Sequence, residues 1–253
     1  MLNSLKVLSA FLRLTTQKSL TGSTSIPLLN SSCFKINNFR LRLNSYTINM
    51  SASSFSQKLS TTQDVLDFWF GDIERLKDSN EIEKRTKLWF FNVPGSDFES
   101  TQLASQDLIE EAVEGGAKWE GTRGLQARII LLDQFSRVVY KGSPKAFEND
   151  KVAVGLTTQF LSGGLHKGLS NHELLFVALP LLHSEDLRDQ ETYYQLMTET
   201  SGMEWSLGFA KSHKDVIEQF GRFPHRNAVL GRESTKEELE WLSSDKVPSW
   251  AKP

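Results

Sequence analysis

The sequence contains a single cysteine, Cys33, which lies within the first 60 residues. Residues 61–253 therefore have no disulfide, no thiol nucleophile and no thiolate ligand for a metal ion. No run of 18 apolar residues occurs, so the sequence predicts no membrane span. The phosphate-binding Gly-rich loop, the dinucleotide-binding Gly-x-Gly-x-x-Gly motif and the His-Glu-x-x-His motif are also missing. These absences exclude several classes of enzyme.

Acidic residues are absent from the first 63 positions, which carry seven lysines and arginines. A basic, Ser-rich and acid-free segment is typical of an organelle transit peptide, so residues 1–60 are predicted to be a transit peptide or a disordered leader. We expect a mitochondrial protein, with the plastid as an alternative, or the cytoplasm if translation starts at Met50. The remaining residues carry 22 lysines and arginines against 31 aspartates and glutamates. This acidic balance argues against a nucleic-acid partner.

From residue 61 to about 245 the sequence reads as a succession of amphipathic helices, with little of the alternation typical of strands. We predict an all-α domain of about eight helices, arranged as a bundle or an array of helical hairpins, followed by a frayed tail at 246–253. A central helix is expected over Arg123 to Lys141, because that segment is apolar on most sides. A 34-residue repeat is not readable.

Several helix ends follow from capping and breaking residues. Gly221 is predicted to end the helix that precedes the polar segment 221–232. Pro180 is expected to kink or end its helix. Two pairs have capping-box spacing: Ser170 with Glu173, and Ser234 with Glu237.

The central helix carries Asp133 and Arg137 four residues apart, with Gln134 between them, in an otherwise apolar segment. This spacing suits an ion pair within one helix. One interpretation is a buried pair that locks neighbouring helices together. The other is that these side chains line a cleft, since buried charge is costly unless it is paired or used.

A second polar group, His183 with Glu185 and Asp186, follows the expected break at Pro180. Acids at the start of a helix are favoured by its dipole, which accounts for both carboxylates without any function. That explanation does not cover His183, which is a candidate general base or metal ligand. His213 shares an apolar helix face and is predicted to be a core histidine.

The densest polar segment comprises Arg222, His225, Arg226, Asn227 and Arg232. The end of the preceding helix favours cations, so capping explains one or two of them. Three arginines exceed that need, and guanidinium groups suit the recognition of carboxylates or phosphates.

A metal site formed by His183, Asp186, His213 and His225 is chemically possible, because histidine and carboxylate groups can bind zinc or a similar ion. Their spacing matches no established motif, and the sequence indicates no cofactor.

Four motifs carry a family resemblance: Phe68-Trp69-Phe70-Gly71, Leu131-Leu132-Asp133-Gln134-Phe135-Ser136-Arg137, Pro180-Leu181-Leu182-His183-Ser184-Glu185-Asp186-Leu187 and Gly221-Arg222-Phe223-Pro224-His225-Arg226-Asn227. Together they resemble the domain-of-unknown-function 924 family, over about Asp64 to Leu242. The resemblance implies a tetratricopeptide-like, all-helical fold and members that are mostly bacterial. It carries over no catalytic residue and no substrate. Ser136 stands where the family pattern has proline, so the central helix is expected to run on unbroken.

Three functional hypotheses follow. The first is a protein that binds a small anionic molecule or an acidic peptide in a central pocket lined by arginine and histidine; its proposed ligand-binding residues are Arg137, Glu185, Arg222, Arg226, Asn227 and Arg232. The second is a small-molecule hydrolase or lyase, possibly metal-assisted, in which His183 or His225 moves a proton and Asp133 or Asp186 orients it. The third is that these motifs only lock helices together. The oligomeric state is not readable from the sequence.

Overall fold

The computed structural model describes residues 56–71, 79–90 and 94–252. This part of the chain forms ten helices and no strand. The predicted all-α class is therefore confirmed, and the helix number is near the expected eight. Residues 1–55 of the predicted leader lie outside the described part of the chain. The transit peptide, the start at Met50 and the mitochondrial location therefore stay predictions.

The helices are, in chain order, α1 (Thr62–Phe70), α2 (Ser79–Phe90), α3 (Asp97–Leu103), α4 (Gln106–Glu114), α5 (Gly121–Ile130, continued by a π-helical turn at Leu131–Phe135 and by Ser136–Val139), α6 (Lys145–Glu148, continued by Asp150–Ser162), α7 (Asn171–His183), α8 (Leu187–Glu199), α9 (Leu207–Phe220) and α10 (Lys236–Leu242). Short 3-10 turns lie at Ala117–Trp119, Glu204–Ser206, Pro224–Arg226 and Ser249–Ala251. Consecutive helices from α6 to α9 pack against each other, as in an array of hairpins. A tetratricopeptide-like superhelix remains an implication of the resemblance.

Two of the four predicted helix boundaries are found where the local sequence places them. Gly221 ends α9 in the left-handed conformation, with φ of 67°, which glycine adopts without steric cost. Ser170 and Glu173 form the expected capping box at α7. The box at α10 is one residue later than predicted, because Thr235 pairs with Glu238.

Pro180 does not end α7, which continues to His183. Proline inside a helix removes one backbone hydrogen bond and costs about 3 kcal/mol or more. Here the surrounding turn is buried on all sides: Phe176, Val177, Leu181 and Leu182 are each no more than 4% exposed. The packing of these apolar side chains offsets the lost hydrogen bond.

The apolar interior consists of two clusters. The main core contains side chains of α1 and of α4 through α8. It includes a layer of aromatic rings around Trp69, Phe135 and Phe176. A smaller C-terminal core comprises Val216, Ile217, Phe223, Trp241, Val247 and Ala251. Residues 246–252, which the sequence predicts as a frayed tail, are instead packed into this second core. Their apolar side chains are spaced to reach it, a pattern too short to read from sequence alone.

No helix within the described ranges is long and apolar enough to cross a membrane. The polar residues singled out by the sequence lie where the main core meets the C-terminal core, around the end of α7 and the segment 221–232.

Candidate functional site

Asp133 lies on the π-helical turn of α5 and is 1% exposed. The N–H of Ser136 donates to the carbonyl of Leu131, five residues earlier, which closes this wide turn. The helix therefore runs past Ser136, as predicted, but it widens before doing so. Single π turns within α-helices often occur at functional sites.

The Asp133 carboxylate accepts three hydrogen bonds. Its Oδ1 lies 2.8 Å from Nδ1 of His183 and 3.0 Å from Nη2 of Arg137, and its Oδ2 accepts from the Gln134 amide. Burial alone would raise the pKa of Asp133, but His183 and Arg137 outweigh it and hold this pKa well below its ordinary value. Asp133 is therefore an ionised carboxylate that fixes two side chains.

Arg137 connects this carboxylate to a second one. Its Nη2 is 3.0 Å from Oδ1 of Asp133 and 3.0 Å from Oδ1 of Asp150 on α6. Burial would lower the pKa of Arg137, yet the two carboxylates raise it. The predicted pair between Asp133 and Arg137 is thus part of a larger charged network that links α5 to α6.

Arg226 completes the network from the other side. Its Nη1 is 3.3 Å from Oδ2 of Asp150, and its Nη2 donates to the carbonyl oxygen of His183 at 3.0 Å. The guanidinium lies between the rings of Phe147 and Phe223, 4.7 and 4.6 Å from their centroids. Arg226 is 6% exposed, and burial lowers its pKa to about 10. This side chain anchors the end of α7 to α6.

His183 is held at both its ring and its backbone. Because the ionised Asp133 can only accept, Nδ1 of His183 carries the proton in this hydrogen bond. In the neutral ring, Nε2 is then the acceptor and the atom able to take up a proton. The His183 side chain is 20% exposed, so its ring is only partly shielded from solvent.

An open cavity of about 1010 Å³ lies beside His183, between α6 and the start of α8. Among the described residues, one histidine and one arginine line it, His183 and Arg226, together with Lys145 and Lys151 and five acidic side chains. The cavity is therefore not mainly lined by arginine and histidine as the sequence predicts. Arg137 and Asp133 lie behind its wall.

The remaining arginines of the predicted site form a separate structure, which we call the carboxylate lock: Arg222, Asn227, Arg232, Glu185 and Glu238. Arg232 binds both oxygens of Glu185, at 2.7 and 3.0 Å, and Arg222 binds both oxygens of Glu238, at 2.7 and 2.9 Å. Arg222 lowers the pKa of Glu238 to about 2. These guanidinium groups are engaged within the protein, so the lock gives a structural role to four of the predicted ligand-binding residues: Glu185, Arg222, Asn227 and Arg232.

Asn227 is the centre of the lock and is 1% exposed. Its amide donates to Ser234 and Glu238 at 3.0 and 3.1 Å, and its oxygen accepts from Arg232 at 3.0 Å. Replacing Asn227 by alanine leaves buried polar groups without partners, so we expect the free energy of unfolding to fall by about 1–3 kcal/mol. Urea titration measures this.

A matched control for that variant is Asn149→Ala, because the Asn149 side chain makes no hydrogen bond within the described part of the chain. Its effect should stay within about 0.5 kcal/mol. Equal effects of the two substitutions would show that the lock contributes nothing to stability.

His213 and His225 lie outside the cavity. His213 is the core histidine that the sequence predicts: its Nδ1 is 2.8 Å from the carbonyl oxygen of Phe209, and its ring stacks on Trp250 at 3.7 Å. His225 also contacts Trp250, and its buried Nδ1 has no hydrogen-bond partner within the ranges that the structure describes. Burial lowers the pKa of His213 to about 3 and that of His225 to about 4. Both are neutral at physiological pH.

The metal site considered from the sequence is not assembled. No group of three His, Cys, Asp or Glu side chains able to hold a metal ion is found among the residues that the structure describes. Asp186 instead caps α8 by accepting from the N–H of Arg188, and the Arg188 guanidinium pairs with the same carboxylate. Asp186 lines the cavity, and its side chain is 43% exposed.

Asp150 and Phe147 are functional candidates that sequence reasoning missed. Asp150 bridges two arginines, and burial raises its pKa although Arg137 opposes that shift. The available signal is weak: Asp150 precedes the apolar stripe of α6, where an acid is expected for the helix dipole alone. Phe147 reads as an ordinary core residue.

No curated protein matches the chain. A solved structure of a protein of unknown function from Agrobacterium tumefaciens, ATU0120, is 29% identical, covers 72% of this chain and 96% of its own length, and superposes with a TM-score of 0.60. The family model for bacterial proteins of unknown function, DUF924, matches residues 65–246. This match includes every residue that lines the cavity and every residue of the carboxylate lock, and the chain belongs to the DUF924 family.

Proposed function

We propose that the protein is an acid–base enzyme that acts on a small molecule in the cavity beside His183. The observation that supports this most directly is the pair formed by His183 and the buried Asp133, 2.8 Å apart, at the wall of a cavity of about 1010 Å³. A histidine whose one ring nitrogen is fixed by a carboxylate presents the other as a proton acceptor. The reaction class is hydrolysis or elimination, both of which need such a group.

Each member of the network has a role in the proposed reaction. His183 accepts a proton at Nε2 from water or substrate and then returns it to the leaving group. Asp133 stabilises the imidazolium that forms in between, because its low pKa keeps it ionised. Arg137 and Arg226 hold Asp133 and the end of α7 in place through Asp150.

The substitution His183→Asn tests this proposal. The Asn amide can donate to Asp133 in place of Nδ1, so the buried carboxylate stays partnered while the proton acceptor is removed. Turnover is screened with a panel of small amides, esters and substituted carboxylic acids, with products followed by mass spectrometry. We expect the variant to be slower by about 10²–10⁴-fold on any substrate found, with a melting temperature near that of the wild type.

The tautomer of His183 gives a check that needs no substrate. In ¹⁵N NMR spectra of the neutral ring, we expect Nδ1 to be protonated and Nε2 to be unprotonated. A proton on Nε2 instead, or a His183→Asn variant with unchanged turnover, would sink the proposed role of His183.

A second candidate is a binding protein without turnover, for a small molecule or peptide that carries an anionic group. It is favoured by Lys145 and Lys151, which line the cavity and form no ion pair with any other described residue. In that case His183→Asn changes affinity for a bound carboxylic acid, and no member of the substrate panel is converted by the wild type.

A further inference from the structure

The cavity has two walls of different charge. On the α6 wall, side chains at spacings of three or four residues share one face, and this face presents Lys145, Glu148 and Lys151. The opposite wall, at the start of α8, presents Asp186 and Asp189. One wall therefore carries the lysines and the other only acids.

The charges differ in how far the protein already neutralises them. Asp150 is paired with two arginines, and Glu185 with Arg232. Asp186 is paired with Arg188. Asp189 accepts a hydrogen bond from the Ser184 hydroxyl at 2.6 Å and forms no ion pair of its own with a described residue, although it interacts electrostatically with Arg188. Lys145, Glu148 and Lys151 form no ion pair with any described residue, which leaves an excess of positive charge on the α6 wall and of negative charge on the α8 wall.

Apolar side chains complete the lining. Phe147 and Val154 contribute from α6, and Leu187 and Leu230 from the other side. Leu187 is 37% exposed, so its side chain is available to a ligand in the cavity. Arg226 also lines the cavity: its side chain is more than nine-tenths buried, and its Nε has no hydrogen-bond partner among the described residues. The cavity thus offers charged groups of both signs around an apolar surface.

We propose that the ligand of this cavity is a short peptide of two or three residues with apolar side chains and free ends. Its ammonium group binds Asp189, its carboxylate binds Lys151 and Lys145, and its side chains contact Phe147 and Leu187. The volume, at the upper end of the range of about 300–1,000 Å³ for small-molecule pockets, exceeds what one amino acid needs. The inference rests on the proposed function only in placing the ligand beside His183.

Three probes of one shape but different charge test the proposal on the full chain. They are Leu-Leu, N-acetyl-Leu-Leu, which lacks the ammonium, and Leu-Leu-amide, which lacks the carboxylate. Affinity is measured by isothermal titration calorimetry and by NMR titration. Because a hydrogen bond to a charged group contributes about 1.5–3 kcal/mol, we expect each modification to weaken binding by about tenfold or more.

Two variants assign the charges. Asp189→Asn should remove the discrimination against N-acetyl-Leu-Leu, and Lys151→Met the discrimination against Leu-Leu-amide. The control is Lys167→Met, which changes an exposed lysine outside the cavity and should preserve all three affinities. Melting temperatures confirm that each variant is folded.

Three outcomes overturn the proposal: no binding of Leu-Leu at millimolar concentration, equal binding of the three probes, or discrimination that survives both variants. Failure of the acid–base function is seen separately. If His183→Asn binds Leu-Leu as the wild type does and the wild type converts no substrate, the ligand class stands and the enzymatic function falls.

Discussion

Replacing Asp133 by asparagine is expected to lower the free energy of unfolding by about 3–5 kcal/mol, the usual cost of removing one partner from a buried charged network. The Asp133 carboxylate is 1% exposed and accepts from Arg137, His183 and Gln134. An asparagine in its place has one acceptor oxygen and an amide that itself donates. At least one of the three donors then faces another donor, and the positive charge of Arg137 loses half of its compensation.

Urea denaturation followed by circular dichroism measures this change. The matched control is Glu148→Gln, which also removes a carboxylate but at an exposed position with no ion pair in the described part of the chain. It should change stability by no more than about 0.5 kcal/mol. If Asp133→Asn is as mild as the control, the network is not a stabilising element and the proposed anchoring of His183 loses its support.

Mild acid is the second condition with a large expected effect. The pKa of His225 is lowered to about 4, by burial and then by Arg226, and that of His213 to about 3, chiefly by burial. Above pH 6.5 both residues are neutral in the folded and the unfolded chain, so their burial does not reduce the free energy of unfolding. Below pH 6.5 only the unfolded chain binds protons, and stability falls as the pH falls.

The size of this loss follows from the shift of each pKa. At pH 5 it reaches up to about 2 kcal/mol for each histidine, since one unit corresponds to about 1.4 kcal/mol. Urea midpoints measured between pH 7.5 and 5 give the proton uptake on unfolding. In His213→Asn, whose amide can still donate to the carbonyl of Phe209, this uptake should decrease by about one proton. An uptake that is unchanged in the variant, or a wild type equally stable at both pH values, would contradict the assignment.

Helix ends that depend only on residues close by in the sequence can be predicted for this chain. The helix end at Gly221 and the capping box of Ser170 follow from local steric and hydrogen-bonding preferences, which act whatever surrounds them. Pro180 shows the limit of such reasoning. Its local cost is real, but the burial of α7 on every side outweighs it, and that burial depends on the whole fold.

The site is predictable only in part for a related reason. The pair Asp133 and Arg137 is visible because both lie on one helix, and His183 stands out because helix capping does not explain it. Asp150 is not visible, since it bonds to arginines 13 and 76 positions away along the chain. Likewise, nothing local separates Arg226, which lines the cavity, from Arg222 and Arg232, whose carboxylate partners come from distant segments.

The wide turn at Leu131–Phe135 makes chain length, as well as composition, a determinant of this site. Each residue of an α-helix advances its neighbours by about 100° around the axis. Deleting one residue from the turn would regularise the helix and rotate Ser136–Val139 by that angle relative to Gly121–Ile130. Arg137 would then face away from Asp150. A homologue whose chain is one residue shorter here would need a different cation to pair with the acid at the position of Asp150.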